Sequence, residues 1–263
     1  MSRDFTLETY SNLVETGLES GYSFLTVREY LATDDADLPD RFVVLRHDVD
    51  RKPENALAMA RLETGLGVSS TYYVRTIDKT FQPAMLREIE ELGHEVGYHY
   101  EDMDRAEGNV AAAHESFGAE LARLRAICSV DTICMHGNPL TGHDNRDMWT
   151  DEGGETPTFE SYDLLGEAYL SMDFEDVTYF SDTGRTWRDG DLKIKDHTMG
   201  EGDKRVQVDT TSELAMLLQT GEVDRLCALT HPNRWARTRR ELVVEAAKDY
   251  AINIAKRGIN AVA

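Results

Sequence analysis

Phe42-Val-Val-Leu-Arg-His-Asp-Val-Asp50 is the stretch from which the rest of the sequence can be read. Four consecutive apolar residues, Phe42 to Leu45, match a short strand covered on both faces, as in parallel sheets flanked by helices. The run ends in charged residues, and Pro53 follows where the first turn of a helix tolerates it. A buried strand, a polar tip and a helix start make half of a βαβ unit.

The same pattern repeats outward. Ala56, Ala60 and Leu62 carry a helix to Gly65 and Gly67, and Thr71-Tyr-Tyr-Val-Arg75 reads as the next strand. A helix over 83–92 is closed by Gly93. His94-Glu-Val-Gly-Tyr-His99 is a third strand, 109–127 a longer helix, and Thr132-Ile-Cys-Met135 a fourth strand tipped by His136. Residues 140–205 are less regular, with one strand, Val177–Phe180, running into Ser181 and Asp182. A helix at 212–219 then leads to Leu226-Cys-Ala-Leu-Thr230, tipped by His231, and a last helix spans about 238–256. Upstream, Thr6 caps a helix with Leu7, Tyr10, Leu13 and Val14 on one face. The expectation is one α/β domain over residues 1–263, with residues 1–40 as a short helical extension packed on it.

Chemically capable residues fall at the C-terminal ends of successive strands: Asp48 and Asp50, Arg75, His99, His136, Asp182, His231. That end of the sheet is where (β/α) barrels build their active sites. Asp48 and Asp50, two apart, can point to one side, and two crowded acids call for a shared cation or proton. The plainer alternative is a pair of aspartates capping the Pro53 helix. Strand alternation puts His94 and His99 on opposite faces, with His99 the better ligand and His94 the structural histidine. Glu101 follows on the His99 face if the strand continues, placed to touch a metal or orient His99. His136 reads as a ligand or a structural histidine, and His231, again at a strand end, as a candidate proton donor. Asp182, Arg185 and Trp187 share a tight loop. Either an Asp–Arg pair holds that loop, or Asp182 and Arg185 orient a catalytic partner while Trp187 offers a platform for a sugar ring.

Bulk properties narrow the classes. The formal net charge is −21, and only seven of the 28 basic residues are lysines. That balance argues against nucleic acid or an anionic membrane as partner and suits a protein working in concentrated salt. No segment approaches the roughly 18 apolar residues of a membrane span. The first residues lack a secretory pattern, so a cytoplasmic location is expected. Cys128, Cys134 and Cys227 lack metal or redox spacing and read as buried free thiols. The phosphate-binding and nucleophile-elbow motifs GxxxxGK[ST], GxGxxG and GxSxG do not occur in the corresponding contexts.

Taken in order, RHDVD (46–50), STYYVR (70–75), GHEVGYHYED (93–102), MHGNPL (135–140), FSDTGRTW (180–187) and THPNRW (230–235) resemble the polysaccharide deacetylase family, carbohydrate esterase family 4, and most closely its WbmS-like branch. The resemblance spans about residues 41–240. It implies an irregular, partly open (β/α) barrel of about seven strands and metal-dependent removal of N-acetyl, or O-acetyl, groups from carbohydrate. It also implies a divalent metal cofactor, foremost Zn²⁺. Matched by position, Asp48 is the general base, Asp50 and His99 are metal ligands, and His231 is the general acid. The family's second metal histidine would fall at 103, which is Met103. His136 is the favoured replacement and Glu101 the other. The expected substrate is a nucleotide- or lipid-linked sugar precursor. The alternatives are a non-catalytic carbohydrate-binding relative and a metal hydrolase of another C–N bond.

Overall fold

The structure, a computed structural model, describes residues 4–150, 156–189, 195, 196, 198, 206–238, 240–245, 247 and 248. Most of the helix expected at 238–256 therefore lies outside the described residues.

Residues 1–40 contribute more than a helical cover. Helix α1 (Leu7–Glu19) starts in a capping box of Thr6 and Thr9, but strand β1 (Ser23–Leu25) then joins the main sheet. Helix α2 (Val27–Ala32) follows and closes the barrel's N-terminal mouth. Its first amides donate inward, Val27 N to Thr71 Oγ1 and Arg28 N to Glu95 Oε2.

Strand β2 (Phe42–Val49) is buried along its whole length. Helix α3 (Pro53–Leu66) follows it, entered through Lys52 in the left-handed region and ended by Gly67 at φ 75°. Next come β3 (Thr71–Val74), α4 (Pro83–Glu91), β4 (Glu95–Tyr100), the short α5 (Asp102–Arg105), α6 (Val110–Arg125) and β5 (Thr132–Met135). Two-residue β6 (Gly166–Glu167), β7 (Thr178–Ser181), α7 (Thr211–Thr220) and β8 (Arg225–Thr230) complete the set.

Every strand pairing among these is parallel, in the order β6-β5-β4-β3-β2-β8-β7. Strand β1 shares one edge of β2 with β3, pairing Phe42–Val44 while β3 takes Arg46–Val49. In a flat sheet β2 and β6 would stand about 19 Å apart at about 4.8 Å per strand. Instead the Arg46 guanidinium of β2 lies 4.3 Å from the ring centre of Tyr169, just past β6. The sheet is therefore curled into a half-barrel. Its outer strands approach through side chains: Tyr169 Oη lies 3.0 Å from Tyr179 Oη of β7, and both donate to Asp196.

Period-two alternation divides β2. Arg46 and Asp48 face the barrel interior, while Val43, Leu45 and His47 face α1, α3 and α7. Gly97 on β4 is required by the curl. A Cβ there would sit 2.4 Å from the Tyr73 ring and 2.9 Å from Thr132 O.

Candidate metal and proton-transfer site

The strand tips meet at the C-terminal mouth. Asp50 stands one residue beyond β2, its amide bonded back to Asp48 O. Its Oδ1 lies 3.5 Å from His99 Nε2 and 3.5 Å from His136 Nε2. It is buried and has no hydrogen-bond partner. Burial alone would raise the Asp50 pKa, but the imidazoles of His99, His136 and His231 outweigh it and hold the carboxyl well below its usual range.

His99 reaches this point from β4, its Nδ1 3.0 Å from Cys134 O. Donation of Nδ1–H to that carbonyl leaves the Nε2 lone pair facing Asp50. The His99 pKa is raised: burial lowers it, and the Asp48 and Asp50 carboxylates more than reverse the effect. His136 follows β5. Its backbone is fixed on both sides, N to Tyr100 O at 2.7 Å and O to Asn145 Nδ2 at 2.8 Å.

Asp48 lies deeper. Its Oδ2 is 3.3 Å from Arg46 Nη2 and 3.8 Å from His99 Nε2, and its Oδ1 is buried without a partner. Arg46 is itself fully buried beside the Tyr73 and Tyr169 rings. On the far side of the sheet order, His231 follows β8 with Nε2 3.9 Å from Asp50 Oδ2. Asp182, past β7 and fully buried, accepts from His231 Nδ1 at 2.7 Å, His231 N at 2.9 Å, Arg234 Nη1 at 2.6 Å and Trp235 Nε1 at 2.9 Å. Burial would raise the Asp182 pKa, but Arg234 and His231 pull it below normal.

Three expectations need correcting. Glu101 does not orient His99. Strand β4 ends at Tyr100, Glu101 turns at φ −141°, ψ 34°, and its Oε2 comes 3.2 Å from His136 Nδ1. Trp187 cannot be a sugar platform, because it is 1% exposed, packed among Phe5 and Trp235 and bonded to Thr211 Oγ1. Arg234, not a neighbour in the loop, is the arginine whose guanidinium bonds the Asp182 carboxylate. Arg185 sits in the left-handed region with its guanidinium over the Phe5 ring.

Arg46 and Arg234 were missed as members of the site. Both stand in quoted motifs: Arg46 shares the strand face of Asp48, two residues on, while the partner of Arg234, Asp182, lies on a pairing that sequence order does not reveal. His94, expected to be structural, is buried behind the sheet with Nε2 2.9 Å from Ala60 O.

Among the described residues, two overlapping donor sets could hold an ion, Asp50–His99–His136 and Asp48–His99–Cys134, the donor atoms of each within 4.8 Å of one another. The second is wholly buried, and burial pushes the Cys134 thiol well above its usual pKa. The first borders solvent, with side-chain exposures of 23% for Asp50 and 13% for His136. A catalytic ion needs an open position, so the first set is the better fit. Donor atoms about 2.0–2.2 Å from a tetrahedral Zn²⁺ stand about 3.3–3.5 Å apart, and both Asp50–histidine separations are 3.5 Å.

No family model matches the chain, and no curated protein does. Among solved structures, a CE4 family pseudoenzyme from Bacillus anthracis is similar at 10% identity and a TM-score of 0.42, over 82% of this chain and 66%, just under two thirds, of that one. The Xyl-CE4 domain of a multidomain xylanase from the hindgut metagenome of Trinervitermes trinervoides is similar at 9% identity and TM-score 0.39, over 84% and 85%. A family 4 carbohydrate esterase from Bacillus anthracis is similar at 11% identity and TM-score 0.37, over 94% and 86%. At this distance the functional reading rests on the chain's own residues.

Proposed function

We propose that this chain is a metal-dependent hydrolase that removes acetyl groups, foremost N-acetyl, from a carbohydrate. The observation that carries the reading is Asp50 Oδ1, buried and unpartnered, with two imidazole nitrogens each 3.5 Å away. A carboxylate that simply paired with protonated histidines would draw them to about 2.7–2.9 Å. Asp50, His99 and His136 are the residues that would hold the ion. A bound Zn²⁺, or another first-row divalent ion, supplies positive charge for the acyl oxygen and lowers the pKa of a water.

The protein's own groups divide the proton work. Asp48 Oδ1 is the free acceptor beside the cluster, and Arg46 fixes the other oxygen of the same carboxylate. Asp48 thus takes the proton of the attacking water. His231 approaches the cluster by way of Asp50 and delivers a proton to the leaving amine. Asp182 orients its ring through Nδ1 and leaves Nε2 toward the cluster. The motif resemblance supplies the substrate class.

A second reading, a carbohydrate-binding protein without turnover, is favoured by one observation. Met103, where the family's second histidine would stand, is 4% exposed and packed in the core. Two measurements separate them: metal content of the purified chain, and acetate release from N-acetylated oligosaccharides. One tightly held ion per chain with acetate release supports the hydrolase. Absence of metal after incubation with Zn²⁺, Co²⁺ or Ni²⁺ transfers the assignment to the binding protein.

A further inference from the structure

The two imidazoles beside Asp50 are held in different ways. His99 has its ring oriented by Cys134 O, whereas His136 comes from a strand tip with its backbone clamped and its ring turned edge-on to His99, at 83° and 5.2 Å between centres. What faces its other nitrogen is Glu101. Resting on the metal-site reading, we propose that Glu101 is the positioning residue of His136. It accepts Nδ1–H, so that the Nε2 lone pair faces Asp50, and Arg75 and Arg105 act as a two-sided clamp on the Glu101 carboxylate.

The geometry runs outward in a chain. Asp50 Oδ1 is 3.5 Å from His136 Nε2, and His136 Nδ1 is 3.2 Å from Glu101 Oε2. The latter contact is close but off the line of a formed hydrogen bond, and Nδ1 has no other partner. A small ring rotation completes it. The two Glu101 oxygens are then taken separately, Oε2 by Arg75 Nη2 at 2.5 Å and Oε1 by Arg105 Nη2 at 3.0 Å. Arg105 is itself tied to Thr76 Oγ1 at 3.2 Å, and Glu101 is only 7% exposed.

Carboxylates that receive the second N–H of a ligating histidine fix its tautomer and orientation, and their loss typically weakens metal binding by about 10–100-fold. The arrangement also gives Met103 a physical account. The turn at Glu101 opens α5, which sends Met103 into the core and Glu101 toward the ligand from the next strand. In this chain the segment after β4 supports a metal ligand rather than supplying one.

The test uses Glu101→Gln, which keeps the size and removes the charge. In the metal-free protein, nitrogen-15 NMR of the histidine rings should show His136 as the Nδ1–H tautomer in wild type and a shift toward Nε2–H in the variant. Zn²⁺ affinity, titrated directly, should fall by about 10–100-fold, and the visible spectrum of the Co²⁺-loaded protein should change. An unchanged tautomer together with Zn²⁺ affinity within twofold of wild type overturns the proposal. Should Glu101→Gln not fold, Arg105→Gln loosens one side of the clamp, and a Zn²⁺ affinity that does not move then overturns it equally. A wild type that binds no metal defeats the hydrolase reading, while the metal-free tautomer still decides the Glu101 contact.

Discussion

Two clusters of carboxylates and histidines lie on opposite sides of β2, and they are built to different standards. Behind the sheet, Glu63 of α3 is fully buried. It accepts hydroxyls from Tyr10, Ser70 at 2.6 Å and Tyr72 at 2.7 Å, with His47 Nε2 2.9 Å away. At the barrel mouth, Asp48 Oδ1, Asp50 Oδ1 and His136 Nδ1 are buried without a hydrogen-bond partner. An unmade bond on a buried polar atom costs roughly 1–3 kcal/mol. The rear cluster bears it at one atom, His47 Nε2, which still faces Glu63 Oε1 at 2.9 Å, and so reads as structure. In the front cluster Glu101 faces His136 Nδ1, but Asp48 Oδ1 and Asp50 Oδ1 bear the cost side by side, which is the signature of groups awaiting a ligand.

The largest effect that would break this contrast concerns the metal. Asp50→Ala should abolish stoichiometric Zn²⁺ binding, measured by elemental analysis, with little change in the melting temperature of the metal-free protein. A large loss of melting temperature without loss of metal would put Asp50 in the structural class. Next, Asp48→Asn should retain the ion while acetate release falls about 10²–10⁴-fold, the usual contribution of a general base. Retained turnover would remove Asp48 from that role.

The rear cluster should answer in stability. Glu63→Ala leaves three hydroxyls and His47 facing a void, a loss of about 3–5 kcal/mol for an uncompensated buried partner. At this chain length that is roughly 10 °C of melting temperature. Calorimetry showing no shift would show the network to be dispensable.

The smallest effect is a pH dependence. The Glu63 pKa is lowered to about 2: burial opposes ionisation, but His47, His94 and Ser70 more than compensate. The His94 pKa is lowered by burial, against the pull of Glu63. Both folded-state values lie below their unfolded ones, so both groups lose stability as pH falls. The His94 contribution begins to go below about 6.5, and that of Glu63 goes between about 4.5 and about 2. Melting temperature followed over pH 7 to 3 should decline in wild type and decline less steeply below pH 4.5 in Glu63→Gln, where Asp50 and Asp182 still contribute.

Much of the barrel was legible because its strands carry continuous apolar runs and end in polar residues. Asp48, Asp50, His99, His136, Asp182 and His231 were all legible as strand-tip residues, and the structure gathers them at one mouth. Strand β6 was not legible, since Gly166–Glu167 is too short to show any period. Strand β1 was hidden because three residues attached to a helix carry no signal of the edge they will join. The partners Glu101–His136 and Arg234–Asp182 depend on how the sheet curls and where loops turn, which local pattern does not encode, whereas Arg46–Asp48, two apart on one strand, follows from alternation. Trp187 shows the same limit, for an aromatic residue in a polar loop gives no hint of which way its ring will face.

The central place of β2 also sets an order in which the parts of the site become available. Asp50, His99 and His136 all lie within the first 136 residues, on or beside β2, β4 and β5. Asp182 and His231 belong to β7 and β8, and β8 reaches the site only by pairing Phe42–His47 with Arg225–Thr230 across most of the chain's length. On the proposed roles, synthesis from the N-terminus would therefore complete the ion-holding half long before the proton-donating half exists. A partly made chain could carry the ion yet lack its acid, so full chemical competence would mark a finished molecule.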